Sequence, residues 1–298
     1  MDFLTSFFKY FGLAILGVLL CLSLSFFGLV LTIDQTIFNP EFAVSQIDKL
    51  DIASLGEEII TGQILPEATV LIPSPIKQLI VGALNDTIAD LEPWLKQQAR
   101  EVTYATYDYL EGRSQHISVV ISLEPAKESL RENILESPLP ELAGYSPELV
   151  ERYLDTFYQQ VPPTFEFDEA WLGPENMAQL EQAKQFISYF QAVFYALIGF
   201  ILLLILGIVL IHRQVRGSTR SLGTIFLSGG ILSYVGFLLA KEVIGAKLAQ
   251  APVYLQTWLP QLLADTLAPM QIYSLGLAGV GIVLLIVSFV YKRGEASF

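Results

Sequence analysis

Cysteine occurs once, at Cys21, and it lies inside an apolar run. No disulfide can form within the chain, so any folded domain must hold itself together by packing alone. Histidine occurs twice, at His116 and His212, and no Cys–His cluster exists. That pattern excludes a zinc site of the usual N/S type. Charge is also scarce: 16% of residues are Asp, Glu, Lys or Arg, with 30 acids against 17 bases and a net charge of −13. An acidic balance gives nucleic-acid phosphates little to bind, so no nucleic-acid partner is expected. The G-x-x-x-x-G-K-[ST], G-x-G-x-x-G and G-x-S-x-G patterns are all missing. The chain therefore carries no recognised nucleotide loop and no nucleophile elbow.

What is present is hydrophobic. Apolar residues make up 53% of the 298, and the mean hydropathy is +0.51. Four runs hold no charged residue: 10–33, 192–211, 221–240 and 270–291. About 20 such residues suffice to cross a ~30 Å hydrocarbon core. The first run is too long for the h-region of a signal peptide and ends in LTIDQT, without a small-residue cleavage site. An uncleaved anchor is expected. Bulky Leu20 before Cys21 argues against a lipoprotein site.

The charges that remain are partitioned. Residues 33–188 hold 26 acids and 9 bases, and the rest of the chain 4 acids and 8 bases. Arg213, Arg216 and Arg220 lie between runs two and three, Lys292 and Arg293 follow run four, and Lys9 precedes run one. Four spans put these segments on one side, which the positive-inside rule makes cytoplasmic. The expected fold is a mainly α membrane protein with four transmembrane helices and a mostly helical extracytoplasmic domain inserted between helices 1 and 2. Its parts are an N-terminal anchor (1–33), an acidic outer domain (34–188) and a three-helix region (189–298) with an amphipathic outer loop (246–269). Both termini are cytoplasmic in this reading, and the protein sits in the cell membrane.

Within the outer domain, Pro75 and Pro93 bound a periodic helix, and a second helix covers about 93–110, with Gly112 as its cap. An earlier helix covers 41–63. ISVVISL, 117–123, reads as a strand or extended segment. Pro125 starts a short helix to about Leu135, SPLPELAGYSP is a connector, and Ser146–Pro147 opens a further helix. Residues 175–213 form an unbroken rod running from polar sequence into span two, with Pro174 at its first helical position. In the outer loop, Leu255, Trp258, Leu259, Leu262, Leu263 and Leu267 share one stripe, expected to lie on the membrane surface or beneath the outer domain.

Candidate chemistry is thin. Glu166, Asp168 and Glu169 in FEFDEAW could supply oxygen ligands to Ca²⁺, but lack the glycine and spacing of a calcium loop, and a solvated connector is the preferred reading. Glu57 and Glu58 are adjacent and diverge on a helix. Lys241 and Glu242 fall just past span three, outside the spans where ionisable groups mark ion paths. Tyr104, Tyr107 and Tyr109 are read as half-buried core with wet hydroxyls. The Asn85–Asp86–Thr87 sequon falls inside the best helix and is set aside. No catalytic, cofactor or metal residues are assigned, and a non-enzymatic role is expected. Gly223, Ser228, Gly229, Gly230, Ser233 and Gly236 in span three and Gly276, Gly279 and Gly281 in span four allow close helix approach. They serve packing within the bundle in the first reading, and a homo-oligomer or a protein partner in the second; the lipid bilayer is the remaining partner.

TIDQTIFNPEF (32–42) and YDYLEGRSQHISVVISLEPAKESL (107–130) resemble a family of uncharacterised bacterial membrane proteins with this layout of anchor, outer domain and three-helix end. That resemblance implies topology and localisation, without an activity. The layout is also similar to cell-division and export permeases related to MacB and FtsX, which implies an alternative role as a permease-like subunit transmitting ATPase work outward. The inner loop here is much shorter than in those permeases, and no residues are carried over. The preferred expectation is an outer domain that binds, senses or scaffolds.

Overall fold

A computed structural model describes residues 2–52, 74–136, 151, 152, 155, 158, 159, 161–212, 214–248 and 258–294. In chain order the elements are α1 (Asp2–Gln35), α2 (Pro40–Asp48), α3 (Ser74–Leu110), β1 (Ser118–Ser122), α4 (Glu124–Glu136), β2 (Thr164–Asp168), α5 (Glu169–His212), α6 (Val215–Leu248) and α7 (Leu259–Gly294). The protein is mainly helical. Helices α1, α5, α6 and α7 each contain a stretch long and apolar enough to cross a membrane. The chain divides into two units: Met1–Asn39 with Phe186–Phe298, and Pro40–Gln185. The boundaries fall a few residues inside the expected 34–188.

The first unit is a helical bundle. Leu20 and Leu24 of α1, Ile201, Leu204 and Ile208 of α5, Leu222 and Ile225 of α6 and Leu277 of α7 form its core. Helices α1, α5 and α6 contribute at spacings of three or four, so one stripe faces inward while Leu202, Leu203, Leu206 and Leu210 of α5 face outward. In lipid the outward leucines gain nothing by packing, and close approach of backbones has to supply the cohesion. Helices α6 and α7 make that approach. A Cβ on Gly230 would lie 2.6 Å from the Ala278 nitrogen, and one on Gly281 would lie 2.5 Å from the Leu227 nitrogen. Gly223 sits 3.0 Å from the Gly281 carbonyl by the same measure.

Helix α1 joins this pair through polar contacts. Tyr273 donates its hydroxyl to the Leu24 carbonyl at 2.8 Å, and Gly28 leaves room for the ring, which a Cβ there would meet at 2.8 Å. Ser25 donates to its own helix at Cys21 O, 2.9 Å, and lies 3.5 Å from Gly229 O of α6. Thr32 and Thr36 donate to the carbonyls four residues back, Gly28 and Thr32. Past Gln35 the chain turns through bonds from Phe38 N to Ile33 O and Asn39 N to Thr36 O, with Phe38 stacked edge-on to Phe190 at 4.6 Å. Pro40, whose nitrogen needs no partner at a helix start, then opens α2.

Three expectations for the bundle change. The connection between α5 and α6 is shorter than HRQVRGSTR suggested, because Val215 already begins α6. Helix α6 runs on to Leu248, past Lys241 and Glu242. The amphipathic outer-loop piece is not a separate helix where it is described: 259–269 is the start of α7, and Pro269 lies inside. Leu263, Leu267 and Met270 pack against Phe237 and Tyr234 of α6 on both sides of that proline. The apolar stripe is therefore spent on a neighbouring helix, and this packing offsets the hydrogen bond lost at Pro269. Residues 249–257 lie outside the described residues.

The second unit is built on α3, 37 residues long, with Pro93 inside it. The expected break at Pro93 does not occur. Glu92 and Lys96 pair across it at 2.6 Å, and Lys96 and Arg100 both reach Asp48 at the end of α2, at 3.0 and 2.8 Å. These contacts fix the turn that proline weakens. Helix α2 itself stops at Asp48, far short of 63, with turn bonds from Lys49 and Leu50; 53–73 lie outside the described residues. Gly112 ends α3 at φ +76°, where its N–H reaches Tyr109 O at 3.0 Å.

The 117–123 segment is a strand, as one of its two readings had it. Its partner was not foreseen: β1 pairs antiparallel with β2, Ser118 opposite Asp168 and Ser122 opposite Thr164. Phe165 and Phe167 point to one side, where Trp171 covers both at 5.6 and 5.0 Å. Helix α4 follows β1 directly, close to its expected bounds. The connector and most of the helix expected after Ser146 lie outside the described residues.

Candidate functional site

The residues singled out in sequence meet different fates. Glu166, Asp168 and Glu169 belong to β2 and the first turn of α5, and they do not converge. Asp168 accepts the Trp171 N–H at 2.8 Å and so caps the short opening turn of α5, which breaks at Gly173 (φ +74°) before the long helix resumes at Pro174. Glu169 pairs with His116 Nδ1 at 3.0 Å, both side chains exposed. Glu166 faces solvent opposite Val120. Among the described residues no group of three or more His, Cys, Asp or Glu could hold a metal ion. Glu57 and Glu58 lie outside the described residues. His212 ends α5 in the other unit.

The tyrosines of α3 separate by their partners. Tyr109 is 2% exposed. Its hydroxyl donates to the Glu181 carboxylate, and Lys184 Nζ lies 4.3 Å above its ring. Acid, phenol and ammonium thus clamp α3 to the opening turns of α5. The bond to Glu181, then burial, pushes the Tyr109 hydroxyl up to about 12. Tyr107 is raised by burial and then by the nearby Glu111 charge. Tyr104 is partly exposed and donates to Glu41 of α2 at 3.1 Å, which raises it as well. Half-burial holds for Tyr107, whereas Tyr109 is fully buried and its hydroxyl meets a carboxylate in place of water. No local signal pointed to Glu181, 72 residues away.

A polar cavity of about 390 Å³ in this unit is lined by Glu124, Lys127, Glu128, Arg131 and Tyr158. Arg131 pairs with Asp155 and stacks over the Tyr158 ring at 5.6 Å. Lys127 is bound to Glu124 at 3.2 Å and to Val161 O at 3.1 Å. Both cations are engaged, so the cavity reads as a cross-linked surface.

In the bundle, Gly223, Gly230 and Gly281 are consumed by the α6–α7 contact, and Gly229 by contact with Leu277 of α7 and with Cys21 O and Leu24 of α1. This is the first of the two readings given to the small residues. Gly276 and Gly279 have no atom within 4 Å of a built Cβ. Cys21 Sγ and Ser228 Oγ approach to 3.7 Å across α1 and α6. These two helices border an open groove of about 720 Å³, with His212 and Arg220 among its lining residues. No family model, no curated protein and no solved structure matches the chain.

Proposed function

We propose that the chain is a four-span protein of the cell membrane whose acidic Pro40–Gln185 unit stands outside, as a binding, sensing or assembly-scaffold domain without enzymatic turnover. Both termini are cytoplasmic in this reading. One observation carries it: an apolar bundle with an internally consumed glycine seam accompanies a separate unit rich in acids. Arg213, Arg216 and Arg220 around the α5–α6 junction, and Lys292 and Arg293 in the last turn of α7, support the orientation. The second reading, a permease-like subunit coupled to an ATPase, gains no support from the short α5–α6 connection, which offers such a partner little to grip.

Thiol labelling in intact cells tests the topology. In a Cys21→Ser background, a cysteine replacing exposed Gln115 reacts with an impermeant reagent, and one replacing exposed Gln214 reacts only after permeabilisation. The reverse pattern overturns the orientation. Purification in mild detergent tests the role: a lone chain whose acidic unit takes up no partner or ligand counts against it.

A further inference from the structure

The groove between α1 and α6 has a shape that the bundle does not need for its own packing. One wall is a face of α1 that includes Gly17 and Val18; the other is a face of α6 that includes Ser221 and Ile225. Small residues among its lining, Ala14, Gly17, Gly217 and Ser221, widen the hollow. A Cβ on Gly17 would already meet Ile225 at 3.4 Å, and Gly217 lets the His212 ring lie against the first turn of α6. Its volume, about 720 Å³, is that of a ligand pocket, for which ~300–1,000 Å³ is usual.

Position decides what can fill it. From Arg220 an uncharged helix runs to Lys241, enough to cross the hydrocarbon, so Arg220 lies at a bilayer interface. From Arg220 to Ser228, α6 rises about 12 Å, and from Tyr10 to Cys21 α1 rises about 16 Å. Half of a ~30 Å core is about 15 Å. The groove thus runs from one interface to near the midplane, the depth of a single leaflet. Its interfacial end holds Arg220, exposed and without a carboxylate partner among the described residues, together with His212. Its inner hydroxyls are satisfied by their own helix, Thr224 by Arg220 O at 3.0 Å and Ser228 by Ile225 O at 3.0 Å. A tail lying beyond Ser221 meets α6 hydroxyls already bonded within their own helix.

We propose that this groove is a binding site for one anionic glycerophospholipid, its phosphate at Arg220 and one acyl chain along Val18 and Ile225. Charge complementarity selects the headgroup, since basic pockets between spans favour anionic lipid. The proposal needs only that these helices span a membrane, and stands apart from the role of the acidic unit.

Native mass spectrometry of the full chain in mild detergent tests it, with phosphatidylglycerol and phosphatidylcholine of identical acyl chains as probes. One phosphatidylglycerol is retained per chain, and it raises the thermal midpoint more than phosphatidylcholine does. Arg220→Gln weakens phosphatidylglycerol about fivefold, the worth of one interfacial basic residue, and leaves phosphatidylcholine unchanged; Arg220→Lys restores the preference. Gly17→Leu, which fills the hollow, lowers retention of both. Equal retention of the two lipids by the wild type overturns the proposal. So does a preference that survives Arg220→Gln, displacement by inorganic phosphate alone, or a lipid-free dimer. Should Gly17→Leu fail to fold, the Arg220 pair decides the matter.

Discussion

Tyr109 shows how one side chain can hold two elements. Replacing it with Phe keeps the buried ring and removes the bond to Glu181. A hydrogen bond to a charged group contributes about 1.5–3 kcal/mol, less where the acceptor is wet, and Glu181 is exposed. Tyr109→Phe is expected to lower the unfolding free energy by about 1 kcal/mol, read from denaturant midpoints. The pH dependence follows from the raised hydroxyl, about 12 when folded against the ordinary 10.0. Between these values the folded state keeps a proton that the unfolded state has lost. The stabilisation is complete below pH 10 and fades as pH rises toward 12. Several phenols titrate late, Tyr104 and Tyr107 among them, so tyrosinate absorbance should show one late-titrating phenol fewer in Tyr109→Phe than in the wild type; an unchanged number would remove the clamp. The three tyrosines of α3 were visible in the sequence as a cluster. Their sorting was not, because it depends on Glu41 and Glu181, which only the fold brings near.

Elements were legible where the signal was long. Four charge-free runs marked four apolar helices, because lipid demands an unbroken run of apolar positions and the chain offers no other use for one. Prolines misled. The local rule makes Pro93 and Pro269 boundaries, yet both lie inside helices. Contacts to Asp48 in one case and to Phe237 in the other hold the turn that the missing N–H loosens. Strand β2 was overlooked because its acids suggested solvent, although TFEFD alternates with period two and that pattern was available. Asp168, considered as an ion ligand, is a helix cap, and Asp168→Ala should cost about 1 kcal/mol. A calcium-induced stability gain lost in that variant would contradict the capping role. The glycine seam gives a sharper test. Gly230→Leu or Gly281→Leu forces α6 and α7 apart, since no backbone can yield 0.5 Å at 2.5–2.6 Å contacts without moving its helix. A loss of about 1–3 kcal/mol is expected, read as a lower melting temperature in detergent. Gly276→Ala, facing open space, should be silent. Equal effects at all three positions would mean that the seam is not the contact holding the pair.

At the scale of the whole molecule, composition divides the chain much as contacts do, with the acids concentrated in one unit and the apolar helices in the other. Sequence could show that division because it rests on solvation: charge goes where water is. It could not show a role, since binding surfaces are made by side chains brought together from distant positions. One consequence of four apolar helices is plain. Alkaline carbonate washing should leave the protein in the membrane pellet, and release into the supernatant would contradict integral insertion.

The hydroxyls of α1 carry a consequence for biogenesis. Cys21 and Ser228 touch across 207 residues, and Tyr273 reaches Leu24 across 249. At about 5–20 residues per second of synthesis, the first span is made tens of seconds before its partners exist. During that wait it is a lone helix in lipid, with Ser25, Thr32 and Thr36 exposed to hydrocarbon or headgroups. Each of the three donates to the carbonyl four residues back, inside its own helix. The helix arrives at assembly with these groups already satisfied, so it can remain in the membrane as a stable intermediate and dock only when α6 and α7 emerge.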